Sequence, residues 1–248
     1  MTSDLITLQG VTLGYDRHPA VHHLSCGFRV GSLTAIIGPN GGGKSTLLKG
    51  IMGLLRPLAG RVELHGIERA EIAYLPQQAE IDRSFPINVI DTVLLGNWRV
   101  TGAFGAVGAA GMARARAALA TVGLEEFERR PIGSLSVGQF QRVLFARMLV
   151  QDARLILLDE PFAAIDDRTM LDLLCLIQGW HAEGRTVLVV LHDLEQVRNR
   201  FPEALLLARE PVARGATAEV LAPANLLRAK AMSEAWDEHA GRCDRDAA

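Results

Sequence analysis

The stretch Gly38-Pro39-Asn40-Gly41-Gly42-Gly43-Lys44-Ser45-Thr46 follows an apolar run from Leu33 to Ile37 and precedes a helical pattern from Ser45 to Leu55. It fits the pattern G-x-x-x-x-G-K-[ST] at every fixed position. Glycines allow backbone N–H groups to converge on phosphates, and the N-terminus of the next helix adds the positive end of its dipole. The sequence therefore predicts a strand, a phosphate-binding loop and a helix, in that order.

This loop also predicts two ligands, a nucleoside triphosphate and Mg²⁺. Lys44 is expected to neutralise the β- and γ-phosphates, and the hydroxyl of Ser45 is expected to bind Mg²⁺. The other positions expected to line the phosphates are Gly38, Pro39, Asn40, Gly41, Gly42, Gly43 and Thr46. A glycine-rich turn with a chance lysine is a poor alternative, because the chain has only three lysines and this one falls between a strand and a helix.

Length and composition allow one large α/β domain or two small ones, and the charge argues against a nucleic-acid-binding protein. The chain has 248 residues, of which 49% are hydrophobic, so it can bury a substantial core. Its formal net charge of -2 provides no excess of positive charge for binding the phosphates of nucleic acid. The N-terminus lacks a basic segment followed by an apolar run, and no stretch reaches the roughly 20 apolar residues of a membrane helix. We therefore expect a protein that stays in the cytosol and does not span a bilayer by itself.

Apolar strand patterns alternate with helical ones along the chain. Strands are expected at Leu5 to Leu8, Val11 to Leu13, Leu33 to Ile37, Arg61 to Leu64, Leu155 to Leu158 and Thr186 to Leu191. Helical patterns cover 112–122, 138–150 and 169–184. Such alternation is typical of a parallel sheet covered on both faces. We predict an α/β fold in a single domain over residues 1–248, with a helical subdomain at about 87–150 and a polar tail at about 237–248.

A second candidate site lies where two carboxylates follow the strand pattern from Leu155 to Leu158. Asp159 and Glu160 would then lie at the carboxyl edge of the sheet, where open α/β sheets bind ligands. Asp159 is expected to hold Mg²⁺, directly or through water, and Glu160 to orient or deprotonate the attacking water. For this short pattern alone, a strand that ends in a solvated turn is an equal alternative.

Further motifs surround these two sites in a fixed order. They are Tyr15, Gln77 in Tyr74-Leu75-Pro76-Gln77, the run Leu135-Ser136-Val137-Gly138-Gln139, Asp166 in Ala164-Ile165-Asp166, and His192 after the strand pattern Val187 to Leu191. On these residues the chain resembles the ABC ATPase family from Tyr15 to about Pro211. The resemblance implies a P-loop NTPase core with a mostly parallel sheet, an N-terminal antiparallel β subdomain and an inserted helical subdomain.

The resemblance also implies a role for three single residues. Tyr15 matches the aromatic side chain that stacks on adenine. Gln77 matches the Q-loop residue, which binds Mg²⁺ and takes part in catalysis. His192 matches the switch histidine, which contacts the γ-phosphate and helps to position the attacking water. We therefore expect Glu160, His192 and Gln77 to form the catalytic set.

A second group of motif residues implies that two copies of the chain act together. Ser136, Gly138 and Gln139 match the signature motif, and Asp166 matches the D-loop. The resemblance implies that Ser136 and the backbone at Gly138 bind the γ-phosphate held by an opposite subunit. It therefore implies a head-to-tail dimer that encloses two ATP molecules, with each Ser136 facing the partner's Lys44.

Val137 departs from the signature pattern, which usually has glycine at this position. A β-branched residue disfavours positive φ, so the loop is expected to hold an ordinary backbone conformation there. We expect a restricted approach of the backbone to phosphate at Val137, but no loss of activity, because the other signature positions remain.

The segment that follows the Q-loop indicates the cargo. Asp82, Phe85-Pro86 and Val89-Ile90-Asp91 are similar to the zinc and manganese uptake branch of the family. This resemblance implies an ATP-hydrolysing subunit for uptake of a divalent metal ion, with permease subunits as direct partners and an extracytoplasmic metal-binding protein as an indirect one. Two alternatives remain open: Phe85 and Pro86 only pack and turn the chain, or the importer carries a siderophore, haem or cobalamin.

The chain itself is not expected to bind the transported metal. It is expected to lie at the cytoplasmic face of the inner membrane as a peripheral subunit. His22 and His23 are adjacent, and neighbouring side chains of an extended backbone point to opposite sides. His239 and Cys243 have helical i, i+4 spacing and could supply two ligands of a zinc site, but an ordinary polar tail is the simpler interpretation.

A soluble ABC-type ATPase of DNA maintenance is the alternative from another class. Such proteins insert long coiled coils or zinc modules between the phosphate loop and the signature motif. Fewer than 100 residues separate Gly43 from Leu135 in this chain, and that interval carries no heptad run. The spacing therefore favours the transporter.

Overall fold

A computed structural model describes residues 3–15, 18–77, 82–102 and 105–234. Its strands are β1 (Asp4–Tyr15), β2 (His18–Arg29), β3 (Leu33–Ile37), β4 (Ala59–Leu64), β5 (Ile72–Leu75), β6 (Leu155–Asp159), β7 (Thr186–Val190), β8 (Glu203–Ala208) and β9 (Glu210–Ala216). Its α-helices are α1 (Lys44–Met52), α2 (Val89–Leu94), α3 (Trp98–Thr101), α4 (Ala109–Thr121), α5 (Val137–Gln151), α6 (Asp167–Ala182), α7 (Leu194–Arg200), α8 (Thr217–Val220) and α9 (Pro223–Glu234). The chain divides into two compact units, 1–69 with 186–248, and 70–185.

The first unit combines an antiparallel sheet with a mainly parallel one. β1 pairs in antiparallel fashion with both β2 and β4. β3 lies between β7 and β8 and is parallel to both, and β9 adds to β8 as an antiparallel edge. All five residues of β3 are buried, as expected for a strand covered on both faces. Helix α1 buries Leu47, Leu48 and Ile51, and its Gly50 lies directly against the side chain of Leu13.

The second unit contains the parallel pair β5 and β6 and most of the described helices. Helix α5 packs on α2, α4 and α6. The rings of Phe145 in α5 and Trp180 in α6 are buried and stack with their centroids 5.7 Å apart. This aromatic pair fixes the two helices that carry the motifs at their N-termini, described below.

Most predicted elements are found, and the helical region expected at about 87–150 corresponds to α2 through α5. The prediction differs from the structure of the first unit in two respects. The segments Leu5 to Leu8 and Val11 to Leu13 form one strand, because the chain passes through a register shift near Gly10 without leaving the sheet. Strands β2, β8 and β9 were not predicted. In β2, histidines, a glycine and a proline interrupt the apolar alternation that marks a strand.

Each helix within the described residues is too short or too polar to cross a lipid bilayer. The tail predicted at about 237–248, with His239 and Cys243, lies outside the described residues.

Candidate nucleotide-binding site

The phosphate loop connects β3 to α1 through backbone that only glycine adopts readily. Gly38 has φ +147°, and an added Cβ would lie 1.9 Å from the carbonyl oxygen of Leu207. Gly43 has φ +89°, and its Cβ would lie 2.3 Å from the carbonyl oxygen of Ala20. Neither position has room for a side chain, because the loop packs directly against the surrounding backbone. Only glycine permits this close approach.

Helix α1 begins immediately after Gly43 and has no side-chain cap at its N-terminus. A side-chain oxygen at this end would compete with an anion for the first N–H groups of the helix. The arrangement therefore suits a phosphate, which the positive end of the helix dipole also attracts. Ser45 is half-buried and Thr46 is buried in the first turn of α1, whereas Asn40 and Gly41 are exposed at the tip of the loop.

Lys44 is the first residue of α1 and only 5% of it is exposed. Its Nζ donates hydrogen bonds to the carbonyl oxygens of Gly38, at 3.0 Å, and Pro39, at 2.9 Å. These bonds hold the ammonium group beside the backbone of the loop. Its charge is thereby placed where phosphate oxygens would lie.

The turn between β8 and β9 is hydrogen-bonded to the phosphate loop. The N–H of Arg209 donates to the carbonyl oxygen of Gly42 at 2.9 Å, and the N–H of His22 donates to that of Arg209 at 2.7 Å. Arg209 has φ +63°, an unusual value for a residue with a side chain. Sequence reasoning missed this support, because Arg209 is distant along the chain and carries no motif.

His192 lies just beyond the end of β7 and shares a cavity with the phosphate loop. The cavity has a volume of about 380 Å³, and Gly38, Pro39 and His192 contribute to its wall. The side chain of Asp193 caps helix α7 by accepting hydrogen bonds from the N–H groups of Glu195, at 2.9 Å, and Gln196, at 3.2 Å. This cap fixes the chain directly after His192. The structure therefore brings two of the predicted site segments together in the first unit.

The second unit holds the two predicted acids at the end of β6. Asp159 is buried at the last position of the strand, and Glu160 follows it with φ +49°. The Nε2 of Gln77 donates a hydrogen bond to the Oε2 of Glu160 at 2.7 Å. Two residues of the predicted catalytic set, Gln77 and Glu160, are therefore in direct contact.

The signature motif lies at the N-terminus of α5. Ser136 and Gln139 form a capping box, in which the Oγ of Ser136 accepts from the N–H of Gln139 at 3.2 Å. The Oε1 of Gln139 accepts from the N–H of Ser136 at 3.0 Å. Ser136 is exposed and Gly138 is partly exposed, so both are accessible to a ligand from outside the unit.

Val137 occupies the first position of α5 with its side chain 51% exposed. As expected for a β-branched residue, it has ordinary helical backbone and not a positive φ. The valine side chain therefore extends from the surface beside Ser136 and Gly138.

Asp166 caps helix α6 opposite the signature helix. Its Oδ1 accepts from the N–H of Thr169 at 2.9 Å, and its Oδ2 accepts from the Thr169 hydroxyl at 2.8 Å. These two bonds lower the pKa of the Asp166 carboxyl. Because the folded pKa is depressed, the stabilisation is present at neutral pH and is lost only as the pH falls through the acidic range of that carboxyl.

A cavity of about 570 Å³ connects these two helix ends within the second unit. Its wall includes Ser136, Gly138, Gln139 and Asp166. The sequence motifs predicted for the signature and the D-loop are therefore neighbours. Tyr15, by contrast, is half-exposed at the end of β1 in the first unit.

Two further residues tie the signature helix to its surroundings and were missed by sequence reasoning. The Nε2 of Gln141 donates to the carbonyl oxygen of Pro161 at 2.8 Å, linking α5 to the chain just after Glu160. The guanidinium of Arg83 hydrogen-bonds to the carbonyl oxygen of Leu135 and lies 5.0 Å from the centre of the Phe140 ring. Neither residue belongs to a pattern that predicts such a contact.

Comparison with known proteins identifies the relatives of this chain. Residues 21–163 match the model of the ABC transporter family. The chain is 41% identical over 214 residues to the Manganese transport system ATP-binding protein MntB of Listeria innocua serovar 6a, covering 85% of this chain and 89% of that protein. It is 42% identical over 219 residues to the Zinc transport system ATP-binding protein TroB of Treponema pallidum, covering 87% of this chain and 82% of that protein.

A solved structure agrees with these relatives. A transporter described as of the metal-chelate type, in an inward-facing conformation, is 29% identical and superimposes with a TM-score of 0.81 over 92% of this chain and 89% of its own. The loop, the mainly parallel sheet and the helices together define the α/β fold of an ATP-binding cassette. The chain belongs to the ABC transporter family, and it is a nucleotide-binding ATPase subunit of that family.

Proposed function

We propose that this chain powers the uptake of a divalent metal ion, manganese or zinc, through a membrane permease. The observation that carries the proposal is the identity of about 40% to ATP-binding proteins of manganese and zinc transport systems over more than four fifths of the chain. The chain would lie on the cytoplasmic face of the membrane, bound to the permease, with an extracytoplasmic metal-binding protein as an indirect partner.

The segment that suggested a metal importer supports a docking role. Phe85 is 61% exposed, although it is a large apolar residue. The side chain of Asp82 accepts hydrogen bonds from both the N–H and the hydroxyl of Ser84, which fixes the turn just before Phe85. Leu95 and Trp98, further along the same unit, are also exposed. Exposed apolar side chains of this kind favour a protein partner over simple packing within the chain.

The nucleotide would be held first by the phosphate loop. Lys44 would exchange its bonds to the carbonyl oxygens of Gly38 and Pro39 for bonds to the β- and γ-phosphates. The first turn of α1 would bind the phosphates through its N–H groups. Tyr15 would stack on the adenine ring.

Mg²⁺ fits the donors that the chain offers, because a hydroxyl, a carboxylate and an amide oxygen are hard oxygen ligands. Ser45, Asp159 and Gln77 would hold it. When bound, it would neutralise charge on the phosphates. Asp159 is buried at the last position of β6, at the carboxyl edge of the parallel pair β5 and β6, where open α/β sheets bind their ligands.

Hydrolysis would depend on three residues that act on water and on the γ-phosphate. Glu160 would accept a proton from the attacking water or orient it, and Gln77 already contacts the carboxylate of Glu160. His192 would contact the γ-phosphate and help to position the water. The positive φ of Glu160 is typical of a residue held in place for function.

Two copies of the chain would enclose two ATP molecules, each bound between the phosphate loop of one copy and the signature motif of the other. Ser136 is exposed, Gly138 is partly exposed, and both belong to a helix N-terminus, which suits a phosphate from outside the unit. Gln139 would keep that end capped, and Asp166 would lie beside it. Loss of the γ-phosphate would remove the bridge between copies and reopen the dimer, which in turn would drive the permease.

Replacing Gly138 with Ala tests this use of the signature helix. An added Cβ would lie 3.7 Å from the Oδ2 of Asp166 and 3.7 Å from the hydroxyl of Thr169, which is ordinary contact distance, so the variant is expected to fold normally. The methyl group would obstruct the approach of phosphate to the helix end. We expect unchanged thermal stability and an ATP-driven dimer weakened by about tenfold, a loss of roughly 1.4 kcal/mol.

The matched control is Gly179→Ala, since Gly179 lies in α6 and has open space around the position of a Cβ. Sedimentation in the presence of ATP measures dimer formation by both variants. Equal dimerisation of the two variants would argue against a role for Gly138 in binding the partner's phosphate.

Stimulation of ATP hydrolysis by cargo tests the proposed transport function. The chain is purified with its permease in lipid nanodiscs, and ATP hydrolysis is measured with binding protein loaded with Mn²⁺, Zn²⁺ or ferric siderophore. We expect stimulation by Mn²⁺ or Zn²⁺ and none by siderophore. Stimulation by ferric siderophore alone would refute the proposed cargo.

The variant Phe85→Ser should lose the permease while it retains nucleotide binding, because Phe85 is exposed and contributes little to the core.

A further inference from the structure

Arg142 connects three segments of the second unit. Its guanidinium donates hydrogen bonds to the carbonyl oxygen of Val122 at 3.0 Å, to the hydroxyl of Thr169 at 3.2 Å and to the Oδ2 of Asp172 at 2.7 Å. Val122 follows helix α4, whereas the other two partners belong to α6. One side chain from the signature helix therefore fixes both of its neighbours.

The bond from Arg142 to Thr169 continues to the D-loop. The hydroxyl of Thr169 accepts from Arg142 and donates to the Oδ2 of Asp166 at 2.8 Å. Each bond in this chain of three groups polarises the next, and both ends carry a charge, so the geometry is strongly specified. Asp166 is thereby oriented by a residue on the opposite helix.

The same contacts set the distance between the signature motif and the D-loop. Gly138 lies one helical turn before Arg142, and its missing side chain would contact the carboxylate of Asp166 and the side chain of Thr169. The first turns of α5 and α6 therefore face each other across a gap that a single methyl group at Gly138 would fill. Arg142 bridges the same two helices one turn further along.

We propose that Arg142 is a positioning residue, which holds the signature helix and the D-loop as one preformed surface for the nucleotide carried by the partner copy. This inference rests on the two-copy arrangement proposed above. The guanidinium is directed to Thr169 and Asp172 and does not need to touch ATP. Its effect on catalysis would pass through the placement of Gly138 and Asp166.

Arg185 offers a control with the same physical character. It belongs to the same unit, and its side chain is 22% exposed, compared with 19% for Arg142. It also bonds to a carbonyl oxygen, that of Ala153, and to two carboxylates, those of Glu183 and Asp152. Its partners include no residue of the signature or the D-loop. Loss of either arginine should therefore cost comparable stability.

The experiment compares Arg142→Met with Arg185→Met, each in the full chain and each combined with Glu160→Gln. Binding of a fluorescent ATP analogue to the monomer, ATP-driven dimerisation and melting temperature are measured. For Arg142→Met we expect unchanged binding to the monomer and at least about tenfold more ATP needed for dimerisation. For Arg185→Met we expect both the binding to the monomer and the ATP concentration needed for dimerisation to stay unchanged. The melting temperatures of the two variants should fall by similar amounts.

Two further variants keep the proposal testable if Arg142→Met does not fold. Thr169→Val keeps the shape of the side chain and removes the link to Asp166, so it should weaken dimerisation in the same direction. Arg142→Lys retains the charge near Asp172 but cannot reach all three partners, and should restore dimerisation only in part.

Three outcomes would overturn the inference. If both arginine variants dimerise alike, or if Thr169→Val dimerises like the parent, Arg142 is only a structural anchor. If the Glu160→Gln parent does not dimerise with ATP, the two-copy arrangement itself is wrong, and the positioning role falls with it. These failures are distinguishable, because the parent forms its dimer in the first two outcomes and fails to form it in the third.

Discussion

Replacing Glu160 with Gln is expected to reduce ATP hydrolysis by about 10²-fold or more and to leave ATP binding intact. The amide cannot accept the proton of the attacking water at neutral pH. The substitution changes neither size nor shape, and its amide oxygen can still accept the hydrogen bond that Gln77 donates at 2.7 Å. Because ATP would persist between the two copies, the variant should accumulate as a dimer that the wild type forms only transiently.

Phosphate release and sedimentation in Mg-ATP measure both parts of this expectation. Glu183→Gln is the matched control, since it makes the same chemical change at an exposed position of the same unit. The control should hydrolyse ATP like the wild type and should not accumulate as a dimer. Turnover by Glu160→Gln at the wild-type rate would show that another group activates the water.

The parts of the fold that follow from local sequence could be predicted. Strands β3, β6 and β7 are short apolar runs with turn residues at their ends, and such runs mark strands that are buried on both faces. The phosphate loop could be predicted as well, because its glycines and its lysine meet the requirements of phosphate binding by themselves. Strand β2 could not, since it is held by pairing with β1 and not by its own apolar pattern.

The support of the candidate site depends on contacts between distant segments, which local patterns do not contain. The carbonyl oxygen of Leu207 lies against Gly38, and the N–H of Arg209 bonds to Gly42. Nothing in the sequence around Leu207 indicates a phosphate loop. Likewise, the motif residues Gly138 and Asp166 could be found by resemblance, whereas Arg142, which connects their helices, emerges only from the hydrogen bonds.

Replacing Lys44 with Met is expected to weaken ATP binding to the isolated chain by about ten- to a hundredfold. A hydrogen bond to a charged group contributes roughly 1.5–3 kcal/mol, and Met retains the length of the side chain while removing the charge. Burial makes the loss larger than at the surface, because only 5% of Lys44 is exposed and little water can replace the ammonium group. The carbonyl oxygens of Gly38 and Pro39 would also lose their donor.

Lys49→Met is the matched control for this loss of charge, since Lys49 lies in the last turn of the same helix. Calorimetric titration with Mg-ATP, at equal ionic strength, compares the two variants. If Lys49→Met binds like the wild type and Lys44→Met does not, the effect belongs to the position of the ammonium group and not to the net charge. Equal affinities for the two variants would contradict the assignment of Lys44 to the phosphates. A charge that only attracts the anion from a distance has nearly the same effect from neighbouring turns of the helix. A charge that contacts the phosphates acts from one position only.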